Sequence, residues 1–264
     1  MEGMMSKWIQ WKGLYHREVA RYFKVPLQTI GAPIVSTLLY LLIFGVSLGK
    51  SIHLAGGFPY LAFLIPGLIA MSLIRNSFDN STSALMGQKY VNELQDLRTA
   101  PLSIHQIVSS KSIASLTRGL IVGAITYLVG QAFYLSYMGH FLPIAAPLTF
   151  IYFIVIGGLA FAGLGIAIGM WSRSFEHVGA VSMLILLPLI YLGGVFFNLE
   201  NVHPFWQTLS HFNPLFYTIN GVRYGMLGQS DTSLPLAIGV TFAFALLCHL
   251  LALLSLRKGS RYLR

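Results

Sequence analysis

Residues 144 to 170 read "IAAPLTFIYFIVIGGLAFAGLGIAIGM", and not one of them carries a charge. A helix of that length in a soluble protein shows a polar face to water; this one has no such face, so it must be enclosed by protein or by lipid. The rest of the chain could not enclose it alone. Hydrophobic residues are 55% of the 264 and charged ones only 9%, against roughly 25% charged in a typical soluble domain. With a mean hydropathy of +0.70, there is too little polar surface to wet a globule. The expected class is an all-α integral membrane protein.

The sequence reads as one domain, 1–264, with six runs that suit helical spans: 27–48, 58–85, 113–138, 144–170, 178–197 and 234–256. Ahead of them, in 6–24, Trp8, Trp11, Tyr15, Val19 and Tyr22 recur every three or four residues, with Arg17, Arg21 and Lys24 on the other side. A helix with an aromatic stripe and a basic back is expected to lie in the membrane interface. Its scattered charges do not make the pattern of a cleavable signal. Six spans put both termini on one side. That side would hold Lys7, Lys12, Arg17, Arg21 and Lys24 of the arm, Lys89, Arg98 and Lys111 of the second link, Arg173, and Arg257, Lys258, Arg261 and Arg264 of the tail. Only Lys50 and Arg223 fall opposite. The positive-inside bias therefore predicts cytoplasmic termini, and topology accounts for the net charge of +9 without a nucleic-acid partner.

Little in the chain points to catalysis. Cys248 is the lone cysteine and lies in an apolar run, and neither C-x-x-C nor H-E-x-x-H occurs, so no metal site is expected. The stretch "GVSLGKS" at 45–51 imitates both a serine-hydrolase elbow and an ATPase phosphate loop. The phosphate loop needs four residues between its glycines, but Val46 to Leu48 supply three. Both motifs need a strand followed by a helix. Here a span is ending, and Gly45 and Gly49 are expected to end it.

Polar residues inside spans are few. Arg75 and Asp79 stand i, i+4 on the second span and can pair. Seventeen residues of the run, 58–74, precede Arg75, about 25 Å of helix, which places it near the cytoplasmic boundary and reads as a structural pair rather than a substrate or ion site. Arg118 reads as an interface anchor, and His249 as a hydrogen-bonded histidine rather than a proton relay. Gly165 and Gly169 form a GxxxG pair that suits close packing within a subunit or between subunits.

Two polar segments stand out. In "QKYVNELQDLRTAPLS", Val91, Leu94 and Leu97 or Arg98 recur at helical spacing beside Glu93 and Asp96, and Pro101 stops the run. In 199–228, Pro204, Phe205, Trp206, Asn213-Pro214, Tyr217 and Arg223 suggest two short helices dipping back into the membrane, either a lid or a cap.

The stretch "PLIYLGGVFFNLENVHPFWQTLSHFNPLFYTINGVRYGMLG" resembles the C-terminal signature of ABC-2 type permeases, the membrane subunits of ATP-binding-cassette exporters of polysaccharides and drugs. The block Pro214-Leu215-Phe216-Tyr217 followed by Arg223 carries most of the likeness, and "FLIPGLIAMSLI" and "ELQDLRTAPLS" extend it over nearly the whole chain. Val202-His203 departs from the usual small residue or proline after an aliphatic one. The resemblance implies a bacterial inner-membrane transport subunit that is not itself an enzyme. Residues 91–101 would be a coupling helix (Val91, Glu93, Leu94, Asp96, Leu97, Arg98, Pro101) docking on a separate ATPase that holds ATP and Mg, with no cofactor on this chain. Residues 199–228 would form re-entrant helices at an external gate (Pro204, Phe205, Trp206, Pro214, Tyr217, Arg223). The permease would work as a homodimer among membrane lipids, exporting a drug-like amphiphile, a lipid or a polysaccharide. Leu97→Asp would then disrupt docking while leaving insertion intact. The alternative is an ATP-independent secondary transporter.

Overall fold

The computed structural model describes residues 2–48, 59–199 and 202–258, and its side-chain description leaves out 2–6, 48, 98 and 99. No strand occurs among the described residues. The arm is helix α1, Glu2–Phe23. The first span is composite: a π-helical turn at Leu27–Gly31, α2 at Ala32–Tyr40, and a second π-helical stretch at Leu41–Leu48. The long helices α3 (Tyr60–Tyr90) and α5 (Ile104–Met138) flank the short α4 (Glu93–Thr99). Then come α6 (Pro147–Trp171), and a fifth span made of α7 (Phe175–Val181), a π-helical turn at Ser182–Leu186 and α8 (Leu187–Leu192). Helices α9 (Pro204–His211) and α10 (Pro214–Leu227) precede α11 (Leu234–Lys258). Six helical segments among the described residues are long and apolar enough to cross a membrane.

The hub is α3, which packs against α5, α6 and α10. Glycine makes this possible at α6. A Cβ on Gly165 would sit 2.6 Å from the Phe78 carbonyl oxygen, and one on Gly169 would sit 3.2 Å from the Thr82 Cα. The GxxxG pair therefore packs within the subunit, backbone to backbone on α3. The other side of α6 meets α11, where a Cβ on Gly163 would come within 3.1 Å of the Cys248 backbone. Gly45 does not end its helix. It sits inside the π-helical stretch, where a Cβ would meet Leu61 of α3 at 2.7 Å. With helix on the described part of "GVSLGKS", neither a phosphate loop nor a hydrolase elbow has its strand; Gly49, Lys50 and Ser51 lie outside the described residues.

The two helices beside α4 are longer than the apolar runs that mark them. Helix α3 continues to Tyr90, and α5 begins at Ile104 with a capping box in which Gln106 N donates to Ser103 Oγ and Ser103 N donates to Gln106 Oε1. Lys111, counted as a link residue from hydropathy, is thus a helical residue. Depth also changes for Arg75. Gly158, close to the middle of α6, faces Leu73 and Ser77, whereas Gly169 near its end faces Thr82 and Leu85. Arg75 therefore lies about 10–15 Å inside the level at which α6 ends. A count of apolar residues put it at the boundary because it took the start of the run as the membrane edge.

A polar seam at one end and a helical cap at the other

At one end of the bundle, α1 lies along the first turns of α5. Trp11 Nε1 donates to Ser109 Oγ at 3.0 Å, and the Tyr15 hydroxyl pairs with that of Thr117 at 3.2 Å. Trp8, Trp11 and Tyr15 stack with centroids 5.3 and 5.6 Å apart. Two residues of the basic side reach other helices. Arg17 pairs with Glu93 of α4, and Arg21 donates to Asn80 Oδ1 at 2.8 Å and to the Asn80 carbonyl at 3.0 Å.

Between these lies a buried node. Lys111 Nζ donates to Glu18 Oε1 at 2.5 Å and to Gln88 Oε1 at 2.8 Å, and Gln88 Nε2 donates to the same Glu18 oxygen at 3.1 Å. The charged side chains are 3% and 2% exposed. Burial pushes the Glu18 carboxyl up, but Lys111, with Arg21 and Arg17 beyond it, outweighs burial and holds it below its ordinary 4.5. Further along, Asn80 Nδ2 donates to Ser115 Oγ at 2.9 Å and Arg118 Nη1 donates to Asn80 Oδ1 at 3.4 Å. Arg118 is buried in this seam, so it is more than an interface anchor. Lys89 closes the end of α6, donating to the carbonyls of Gly169, Met170 and Ser172 at 2.8, 2.5 and 2.8 Å.

Helix α4 is seated by Leu94 and Leu97, which are buried with Leu14, Leu85, Ile107 and Leu253. This changes the meaning of Leu97→Asp: the substitution would unseat the helix instead of testing an outer docking face. The outward residues are Val91, Gln95, Asp96 and Pro101, with Glu93 half-buried against Arg17; the side chain of Arg98 lies outside the described residues. Asn92 starts the helix with φ at 57°, a left-handed conformation that asparagine tolerates better than most residues. A groove of about 550 Å³ runs between α1 and α4, lined by Gly13, Arg17, Asp96, Leu97 and Pro101 among others.

At the opposite end, α9 and α10 form a hairpin. Most of α9 is exposed, Phe205 and Trp206 included, and His203 Nδ1 accepts from Phe205 N at 3.3 Å to cap it beside Pro204. Helix α10 starts at Pro214, capped by Asn213 Oδ1, which accepts from Leu215 N at 3.0 Å. It is nearly all buried and returns along α6, with Thr218 against Gly157 and Gly225 against Phe150. Asn213 Nδ2 donates to the Leu189 carbonyl at 2.6 Å, Ser210 Oγ to that of Leu192 at 2.9 Å, and the Tyr217 hydroxyl to that of His211 at 2.9 Å. Arg223, 2% exposed, donates to Asn220 Oδ1 at 3.1 Å and to the Gly194 carbonyl at 2.6 Å, and lies 3.7 Å over the Phe63 ring. The residues grouped by sequence as a gate thus divide: Phe205 and Trp206 face outward, while Tyr217 and Arg223 hold the hairpin in place. Arg75 and Asp79 sit apart from both ends and pair at 3.6 Å.

Sequence spacing located α4 and the hairpin but not the seam. Glu18, Gln88 and Lys111 are single polar residues in three different helices, and only α5 reaching back to Ile104 brings them together.

A six-span helical membrane protein with a docked arm, a short helix between spans two and three, and before the last span a hairpin whose second helix is buried has the class features of a membrane permease. The sequence model of the ABC-2 type transporter family matches residues 9–227, and the chain belongs to that family. It is similar to the inner membrane transport permease YadH of Escherichia coli K12, with 34% identity over 252 residues and 96% of each chain covered. It is also similar to nodulation protein J of Rhizobium leguminosarum bv. viciae, with 25% identity over 95% of each chain, and of Neorhizobium galegae, with 22% identity over 97% of this chain and 96% of the other. The protein is a multi-pass permease of the cytoplasmic membrane.

Proposed function

We propose that this chain is the membrane subunit of an ATP-driven exporter, that it works as a homodimer, and that a separate ATPase subunit drives it by docking on α4 at the cytoplasmic face. The observation that carries the coupling role is the Arg17–Glu93 pair together with the Glu18–Lys111–Gln88 node. Through them α4 is tied to α1, and α1 to α3 and α5, so a push on α4 moves the arm and two spans together. ATP and Mg belong on the partner. The hairpin α9–α10 would shape the far exit, and a drug-like amphiphile, a lipid or a polysaccharide would be carried along the dimer interface.

The test is recovery of the complex in mild detergent, with bound subunits identified by mass spectrometry. The wild-type chain is expected to bring down a near-stoichiometric ATPase, and Val91→Asp, exposed just before α4, and Gln95→Arg, exposed on α4, are expected to lose it while still inserting. Wild-type recovery with both variants would reject docking on α4. A chain always recovered alone would favour an ATP-independent secondary transporter.

A further inference from the structure

Helix α5 packs against α3, and its glycines record how closely. A Cβ on Gly119 would fall 2.9 Å from the Leu73 carbonyl oxygen, and one on Gly130 would fall 2.9 Å from Ile65 Cγ2, so at both levels the helices touch. Gly123, about one turn beyond Gly119, is different. A Cβ there would have no neighbour nearer than the Leu73 Cβ, at 3.8 Å. Glycine weakens a helix relative to alanine, and close contact does not call for it here. What it leaves is room: Gly123 borders a cavity of about 240 Å³ between α3, α5 and α6.

Floor and rim of this cavity differ. The floor is Ile69 and Leu73 of α3 with Ile154 of α6, which are 1%, 0% and 8% exposed. The rim is Ala124 and Ile144, both exposed, with Tyr127 half-buried. Next to the rim in sequence, Leu128, Leu148 and Ile151 are exposed and apolar. The cavity therefore opens on the outer surface of spans three and four, which faces hydrocarbon in a membrane. Leu73 is level with Gly158 near the middle of α6, and Ile144 lies just before that helix at the cap end, so the cavity runs from mid-bilayer toward the cap. Among its lining residues, Tyr127 alone is polar and none is charged.

An apolar cavity of this kind stays dry when water is the solvent. Here the solvent at its mouth is lipid, and a lipid chain enters without giving up hydration. We infer that the cavity is a binding site for one hydrocarbon chain of a membrane phospholipid, which enters between α5 and α6 and ends against Leu73. In the proportion by which a cavity of about 150 Å³ takes benzene, it holds about eight to ten carbons, part of one chain and not of two. With no charged group at the rim, the site recognises the chain and not the headgroup. Phe150 also lines the cavity, and its Cα lies 2.7 Å from where a Cβ on Gly225 would stand. The bound chain thus supports Phe150, and Phe150 supports α10. Nothing in this depends on the ATPase.

Photo-crosslinking tests it. The protein, purified with its bound subunits, is placed in nanodiscs containing a phosphatidylcholine with a diazirine near the end of one acyl chain. Adducts are mapped by peptide mass spectrometry. They are expected on Ile69 and Leu73, which a lipid reaches only if its chain leaves the bilayer, while Leu247 on the exposed apolar face of α11 reports ordinary lipid contact. Gly123→Leu fills the cavity, and Ala124→Phe narrows its mouth at an exposed position. Each is expected to cut the adducts at Ile69 and Leu73 at least roughly tenfold and to leave those at Leu247 unchanged. No adducts on α3 in the wild type, or adducts that persist in both variants, would overturn the inference. Protection of Leu128 together with α3 would overturn it too, because a second copy would then cover this face. A phosphatidylglycerol probe with the same chain should label equally, and labelling by one headgroup alone would reject recognition of the chain. Delipidation gives a second readout: the wild type should melt lower and recover with added phospholipid, whereas Gly123→Leu should not respond. An equal response in both would reject the brace on α10.

Discussion

At the arm end of the bundle, cations are matched mainly by side chains from other helices: buried Lys111 by Glu18 and Gln88, and half-buried Arg21 and buried Arg118 by Asn80. At the cap end the buried cation, Arg223, leans on a main-chain carbonyl, an amide three residues back and an aromatic ring, with Asp231 no nearer than 4.0 Å. The first arrangement joins separate elements through charge, and each partner needs the other. The second fixes a turn of the chain through groups that do not ionise. Charge can be made or lost with conditions, so the arm end is the switchable one and the cap end the fixed one.

The contrast is most open to attack at the node. Removing one member, as in Glu18→Gln or Lys111→Met, leaves its partner buried and is expected to cost about 3–5 kcal/mol, while Glu18→Leu combined with Lys111→Met should recover most of it. Thermal unfolding of the detergent-solubilised complex, with trypsin cleavage of the arm as a local reporter, checks this. A double variant as weak as the singles would mean that packing, not charge, joins the arm. At the cap, Arg223→Lys keeps the charge but loses the fork and the flat face over Phe63, and is expected to cost about 1.5–3 kcal/mol. An unchanged melting temperature would show that charge alone suffices there too. Gly165→Ala touches neither end. It drives a methyl into the Phe78 carbonyl and should cost about 1–3 kcal/mol, giving a scale for ordinary packing between the two.

Acid separates the ends without mutation. Glu18 is held below its ordinary 4.5, so its contribution is fully present above that value and is lost as pH falls through the lower folded-state value. Arm release, read by Trp8 and Trp11 fluorescence, is expected only below about pH 4.5 and should be absent in the Glu18→Leu, Lys111→Met double variant. The smallest expected effect is at Asn92→Gly. Relief at φ 57° offsets the added freedom of glycine to within about 0.5 kcal/mol, and a larger loss would assign the asparagine side chain a role in α4 beyond the turn.

How much of this could be read beforehand depends on whether a feature is local. The six spans, α4 and the α9–α10 breaks follow from apolar run length, helical spacing and Asn213-Pro214, all written within a few residues. The depth of Arg75 could not be read that way, because it depends on register against α6. The same holds for Leu97, whose apolar character marks a helix face without saying what covers it. Arg17 and Arg21 read only as the basic back of the arm, and their partners, Glu93 and Asn80, lie on other elements. The resemblance of 214–223 to a permease signature named the family, but the roles of Tyr217 and Arg223 as struts came only from their partners.

Glu18 and Lys111 are 93 residues apart in the chain. At about 5–20 residues per second, a ribosome needs roughly 5–20 s to make that interval. During that time the carboxylate has only Arg17 and Arg21 of its own helix beside it. Docking has to wait for the start of the third span, and the lysine that arrives there seals three helices at once. The charge pair thus joins the first helix to be made to one made 93 residues later, so it can close only after the first two spans have been synthesised.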